Sequence, residues 1–232
     1  NIVRENGAVP ATIAVFDGEF CVGLTQNQIE RLATDKTVRK ISRRDLPIAV
    51  GKKLNCATTV ATTSFIAHLA GIKVFATGGI GGVHRGYSAD VSADLPELAN
   101  TPITVVCSGA KIVLDLPATR EWLETNGVSI LGWHCAELPA FYSSKSGLKV
   151  DEKIWNAEEA AKIIKSRDEL NLKNAILVAV PVPSEFEIEA EELEKILAEA
   201  LKLADKQNIS GKEITPFLLA QMSEKSAGKT LQ

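Results

Sequence analysis

The sequence is short of the features that mark membrane, secreted or nucleic-acid-binding proteins. Across 232 residues, no apolar run approaches the roughly 18 residues of a membrane-spanning helix. The opening Asn1-Ile2-Val3-Arg4-Glu5-Asn6 lacks the basic-then-apolar profile of a signal peptide. It also lacks an initiator Met, which reads as an internal piece of a longer protein. A net charge of −3 leaves no basic excess for a nucleic-acid face. The few cysteines, Cys21, Cys56, Cys107 and Cys135, form no CxxC pair, so zinc-site spacing is absent. They read as free, mostly buried thiols of a cytoplasmic protein. A longer N-terminus would leave organellar import open.

What is present is an ordinary globular composition, 45% hydrophobic and 24% charged, long enough for one domain with a sizeable core over 1–232. Ala11–Phe16 and Glu19–Gly23 read as a hairpin around Asp17-Gly18. Thr25-Gln26-Asn27-Gln28 has the form of a capping box and opens a helix through Ala33. Further strands are expected at 38–42, 73–77, 103–107, 128–132 and 175–180. Helices are expected at 46–53, 58–70, 93–99, 117–125, 157–170 and 190–207, with Pro216 at the first position of a last one. Short apolar strands alternating with helices predict an α/β fold: three layers, α/β/α, with a mixed, mainly parallel central sheet. The stretch 143–147, Ser-Ser-Lys-Ser-Gly, reads as a mobile loop.

Ligands of such sheets bind beyond the carboxyl ends of the strands. Three polar or Gly-rich segments follow strands: 40–45, 77–86 and 107–111. Gly78-Gly79-Ile80-Gly81-Gly82 fails as a dinucleotide fingerprint, because the third glycine position is His84. That argues against a nucleotide-dependent oxidoreductase and leaves the loop open between ligand contact and structural crossover. Gly228-Lys229-Thr230 imitates the end of a P-loop, but the first glycine would be Ser223, so we discard it. Lys111 follows small residues at a strand end. Read as the first turn of a helix, it would oppose the dipole there, which together with burial favours the neutral amine. Its alternative is a solvated lysine. Asp90 and Asp94 flank Ser92 and offer hard oxygen ligands, or simply helix capping. His68 reads as a packed core residue and His134 is uncommitted. Arg43-Arg44 can meet phosphate or pair with Asp45.

Several words occur in one order along the chain: Gly7-Ala8-Val9-Pro10-Ala11-Thr12-Ile13-Ala14, Ser42-Arg43-Arg44-Asp45-Leu46-Pro47, Ala57-Thr58-Thr59-Val60-Ala61, 76–86, Asp90-Val91-Ser92-Ala93-Asp94-Leu95 and Thr215-Pro216-Phe217-Leu218-Leu219. Together they resemble the pseudouridine-5′-phosphate glycosidases, also called the indigoidine synthase A-like family. The resemblance implies reversible cleavage of pseudouridine 5′-phosphate, a small-molecule nucleotide, to uracil and ribose 5-phosphate. It implies a divalent metal, typically Mn2+, and a homotrimer. A pseudouridine kinase, fused or separate, is an implied partner. Lys111 resembles the nucleophile that forms an imine with C1′ of ribose, and Asp90 the metal ligand. Lys40, Val60 and Ser92-Ala93-Asp94 resemble substrate contacts. Thr59 and His84 stand in matching motifs without an assigned role.

The family carries a glutamate acid/base ahead of the part matched here, and a base-contacting asparagine beyond the last helix. Neither position falls within 1–232. Where the family reads Asn-Pro-x-Pro, this chain reads Val180-Pro181-Val182-Pro183. These departures keep a second reading open: a non-catalytic remnant that binds sugar phosphate or forms oligomers.

Overall fold

The computed structural model describes residues 2–86, 89–207, 209 and 214–226. After the short helix α1 (Ile2–Glu5) comes the expected hairpin, β1 (Ile13–Phe16) and β2 (Glu19–Val22). Its turn residues Asp17 and Gly18 have φ of 52° and 81°, the pairing of positive φ that matches strand twist in two-residue hairpins. Gly18 is also fixed by space, since a Cβ there would lie 2.8 Å from the Val50 carbonyl oxygen. Helix α2 (Gln26–Thr34) starts with both hydrogen bonds of the capping box between Thr25 and Gln28.

Strand β3 (Arg39–Ile41) leads through a single 3-10 turn, Arg43–Asp45, into α3 (Leu46–Gly51). Then come β4 (Cys56–Thr58) and α4 (Val60–Leu69). The helix expected from residue 58 therefore starts at Val60. Cys56–Thr58 pairs antiparallel with β1 and parallel with β3, and Thr59 takes the N-cap. These strands form a four-stranded sheet in the order β2-β1-β4-β3.

The rest of the chain alternates as expected, with three further short strands that the sequence pattern did not mark. It runs through β5 (Val74–Ala76), β6 (Val83–His84), α5 (Asp94–Asn100), β7 (Thr104–Cys107), β8 (Leu114–Asp115), α6 (Leu116–Thr125) and β9 (Ser129–Trp133). There follow β10 (Glu152–Ile154), α7 (Ala157–Glu169), β11 (Ile176–Ala179), α8 (Ala190–Lys206) and α9 (Ile214–Lys225). Five strands form the central sheet in the order β10-β9-β11-β7-β5, every neighbouring pair parallel. β11 lies in its middle and is buried at all four positions, as its uninterrupted Ile-Leu-Val-Ala run implies for a strand covered on both faces. The fold is thus α/β with a mainly parallel central sheet, and the antiparallel hairpin belongs to the other sheet. β10 escaped the sequence pattern because Glu152-Lys153-Ile154 carries one apolar residue; backbone pairing to β9 makes it an edge strand.

Some expectations are corrected. Ser143–Gly147 is tied down: Ser143 is buried, and Glu187 accepts hydrogen bonds from both the amide and the hydroxyl of Ser144. These bonds hold the Glu187 carboxyl below its ordinary range. His68 is exposed because it lies in the last turn of α4, where Leu69 and Ala70 are exposed too, although Ala61 and Ser64 on the same helical face are buried. Pro216 is the third residue of α9. The Gly228-Lys229-Thr230 tail lies outside the described residues. All four cysteines are free; Cys56 and Cys107 are buried, and Cys21 and Cys135 are half-buried. Burial pushes the Cys107 thiol up to about 11. Among the described residues, no helix is long and apolar enough to cross a membrane.

Leu177 sits at the centre of β11 with 1% of its surface exposed. Leu177→Ala opens a cavity between close-packed neighbours, and should lower the unfolding free energy by about 2–5 kcal/mol in urea titration. Thr25→Ala, which removes only a surface cap, should cost about 1 kcal/mol.

Candidate active site

The site gathers at the ends of strands from both sheets. Beyond β5 the glycine loop runs beside the segment that follows β7. Ser108 N donates to Gly78 O (2.9 Å), Ile80 N to Gly109 O (3.1 Å), and Lys111 N to Ile80 O (3.1 Å). Such close contact requires the glycines. A Cβ on Gly79 would lie 2.5 Å from the Phe141 ring, and one on Gly109, whose φ is +86°, would lie 2.0 Å from Pro139 O.

Asp94 is the hub of this arrangement. It is 6% exposed and opens α5, with Ala93 at the cap position. One carboxylate oxygen accepts from Ala61 N at the start of α4 (2.9 Å). The other accepts from Gly81 N in the glycine loop (2.8 Å). A Cβ on Gly81 would collide with Ser92 Oγ at 2.1 Å. The Ser92 hydroxyl in turn accepts from Asp94 N (3.3 Å). Val60, Ser92, Ala93 and Asp94 therefore stand around one junction, though their assignment came from separate words of the sequence.

Val83 N donates to Thr119 Oγ1 (2.9 Å) and His84 N to Asp90 O (2.9 Å). With the amides of Ile80 and Gly81 also engaged, much of the loop is a structural crossover. Only part of it could face a ligand.

Lys111 is half-buried. It precedes a turn into β8, so the expected place in the first turn of a helix is not found; α6 starts only at Leu116. The amine is nonetheless held below the ordinary lysine range. Burial is the main cause, the Lys40 ammonium adds to it, and the Asp94 carboxylate opposes it. Lys40 projects from β3, exposed and paired in register with Ala57. Two positive groups and one negative group thus converge. Arg85 fastens the turn after Lys111, donating to Leu114 O (3.1 Å) and Ile112 O (3.2 Å).

Asp90 is not among the charged groups that act on Lys111. Its carboxylate is half-buried and forms no hydrogen bond or ion pair among the described residues. No group of three His, Cys, Asp or Glu side chains assembles among them either. A single hard oxygen donor suits a divalent ion that keeps most of its own water, and does not suit a fully protein-ligated zinc. Arg43 and Asp45 are not partners: Arg43 pairs with Glu97 (3.1 Å) and Asp45 with Arg39 (3.4 Å). Sequence reading missed Ala61, Phe141 and Arg85. Only the small size of Gly79, Gly81 and Gly109 hinted that something packs against them.

The whole chain, residues 1–232, matches the family model described as indigoidine synthase A like protein. The chain belongs to this family. Among similar proteins is a pseudouridine-5′-phosphate glycosidase of Caldanaerobacter subterraneus subsp. tengcongensis, 52% identical over all of this chain and 76% of the relative. A Clostridium botulinum protein of the same name is 51% identical over the same shares. Among solved structures, an indigoidine synthase A-like protein from Thermotoga maritima superposes with a TM-score of 0.93 at 39% identity, covering 99% of this chain and 76% of the other. A prealnumycin C-glycosynthase in complex with ribulose 5-phosphate gives 0.91 at 38% identity, covering 98% and 76%.

The charge balance makes a prediction that needs no substrate. Labelling Lys111 with trinitrobenzenesulfonate over a pH series reads the fraction of free amine. Lys40→Ala should raise the labelling midpoint, because a repelling cation is gone. Asp94→Asn should lower it, because an attracting anion is gone.

Proposed function

We propose that this chain cleaves the carbon–carbon glycosidic bond of pseudouridine 5′-phosphate, with Lys111 as nucleophile. The observation that carries the reading is a half-buried amine, held below its ordinary range, between Asp94 and Lys40 at the strand ends. A neutral amine attacks carbonyl-like carbon; an ammonium does not. The names of the relatives and the pentose phosphate bound to the C-glycosynthase support the substrate class.

The leaving group explains the need for a lysine. Ordinary glycosidases protonate a departing oxygen or nitrogen between two carboxylates. A carbon substituent has no lone pair for that proton. Lys111 Nζ would instead bond C1′ as the C1′–O4′ bond opens, with O4′ taking a proton. Protonation at the uracil carbon then lets the C1′–C5 bond break. Its electron pair stays with uracil, and the nitrogen lone pair forms the C1′–N imine. Water hydrolyses the imine, releasing ribose 5-phosphate and restoring the amine. The balance is one water consumed per uracil released, and the steps are reversible.

In this reading Lys40 neutralises the substrate phosphate or a nearby anion, and also helps keep Lys111 uncharged. Val60 and Ser92-Ala93-Asp94 line the sugar. Asp94, with both oxygens accepting backbone N–H groups, serves as fixed counter-charge and loop anchor. Asp90 would hold a divalent ion, Mn2+ by resemblance, which would supply a hard Lewis-acid centre. The same resemblance extends to a homotrimer and to a kinase that generates the substrate.

The test is uracil release from pseudouridine 5′-phosphate with Mn2+, with borohydride reduction and mass analysis in parallel. The expected adduct is one ribose phosphate on Lys111. Lys111→Ala should remove the adduct and lower turnover by roughly a thousandfold or more. Chelation followed by Mn2+ should abolish and restore turnover, and Asp90→Ala should prevent restoration. A Lys111→Ala protein that still releases uracil overturns the scheme.

A further inference from the structure

Glu97 is a carboxylate with 2% exposure, one helical turn beyond Asp94 on α5. A buried carboxylate demands compensation. Here it comes from Arg43, whose Nη1 lies 3.1 Å from each oxygen, and from the Thr101 hydroxyl, which donates to Oε1. The Arg43 guanidinium also lies over the Phe65 ring of α4, 4.4 Å from its centroid. Arg43 therefore touches two helices at once: α5, which begins with Asp94, and α4, whose first turn gives Ala61 N–H to Asp94.

Arg43 also opens the 3-10 turn three residues after Lys40. Asp45 braces that turn onto β3, accepting from Ser42 N (2.9 Å) and from Arg39 (3.4 Å). Lys40 and Asp94 are the two charged groups that act on the Lys111 amine. They sit on separate elements, and the Arg43–Glu97 pair joins those elements.

We propose that Arg43 is a positioning residue for the Lys111 nucleophile: its pairing with Glu97 and its stacking on Phe65 hold the Lys40 strand against the Asp94 helix. The proposal rests on the reading of Lys111 given above. Asp94 keeps its place through Ala61 and Gly81 whatever happens to Arg43. Lys40, exposed on a three-residue strand, depends more on the turn that follows it. Loosening that turn moves the repelling cation away from Lys111.

Arg43→Lys retains a cation for Glu97 but loses the planar face that stacks on Phe65. The pH midpoint of Lys111 labelling should rise by about half a unit, and kcat with pseudouridine 5′-phosphate at neutral pH should fall several-fold. In a Lys40→Ala background, Arg43→Lys should move the midpoint no further, since the two act through one group. Phe65→Leu, which keeps the ion pair and removes the stacking surface, should shift the midpoint in the same direction. It serves if Arg43→Lys fails to fold, as judged by thermal melting. An unchanged midpoint in both variants, or an equal shift with and without Lys40, overturns the proposal. Labelling is read without turnover. If the shift appears but the unaltered protein yields no imine adduct, the positioning role stands and the proposed reaction falls.

Discussion

The site depends on one buried carboxylate that closes two loops. Asp94 takes one N–H from the first turn of α4 and one from the glycine loop. The two belong to different parts of the architecture: α4 follows a strand of the mixed sheet, and the glycine loop follows a strand of the parallel sheet. A carboxylate with both oxygens engaged by backbone donors is well satisfied in a dry place. Its hydrogen bonds therefore fix the junction of the two sheets and place a negative charge beside Lys111 at the same time. Moving either loop would leave a buried acceptor or donor unpaired, which is the costly outcome.

The glycines follow from that junction. Gly81 is small because Ser92 Oγ and Asp94 occupy the space of a side chain, and Gly82 because Thr119 does. A run of glycines in an α/β protein invites a phosphate-cradle reading. Here most of the nearby amides already have protein partners, and the small residues allow backbone to lie against backbone. What the loop packs beside is the segment carrying Lys111.

The alternation of elements was legible because the inner strands of the central sheet are short apolar runs and apolar residues recur at helical spacing between them. Caps and turns at Thr25 and at Asp17-Gly18 were legible from local chemistry alone. Edge strand β10 was not, since an edge needs only backbone pairing and few apolar side chains. The separation of the hairpin into a second sheet was also hidden, because period-two patterns give pairing but not partners. At the site, motif order marked Lys111, Asp94 and Lys40 as candidates, but not how they meet. Their mutual approach depends on three distant segments and appears only in the assembled fold. His68 failed because burial of the earlier turns of α4 was extended to its last turn, which emerges into solvent.

The arrangement around Lys111 also separates this site from sites built for oxygen or nitrogen leaving groups. Those place two carboxylates across the scissile bond, so that one can donate a proton while the other stabilises positive charge. Here the charged groups that act on one another are two amines and one carboxylate. Two ammonium groups at close range disfavour each other, and burial weakens the hold of the less exposed one, Lys111, on its proton. Lys40 is exposed to water. In the proposed reaction the amine must attack an electrophilic carbon, and a lowered proton affinity favours that step. The difference follows from the unequal exposure of the two lysines. The junction at Asp94 sets a carboxylate beside the more sheltered of the two.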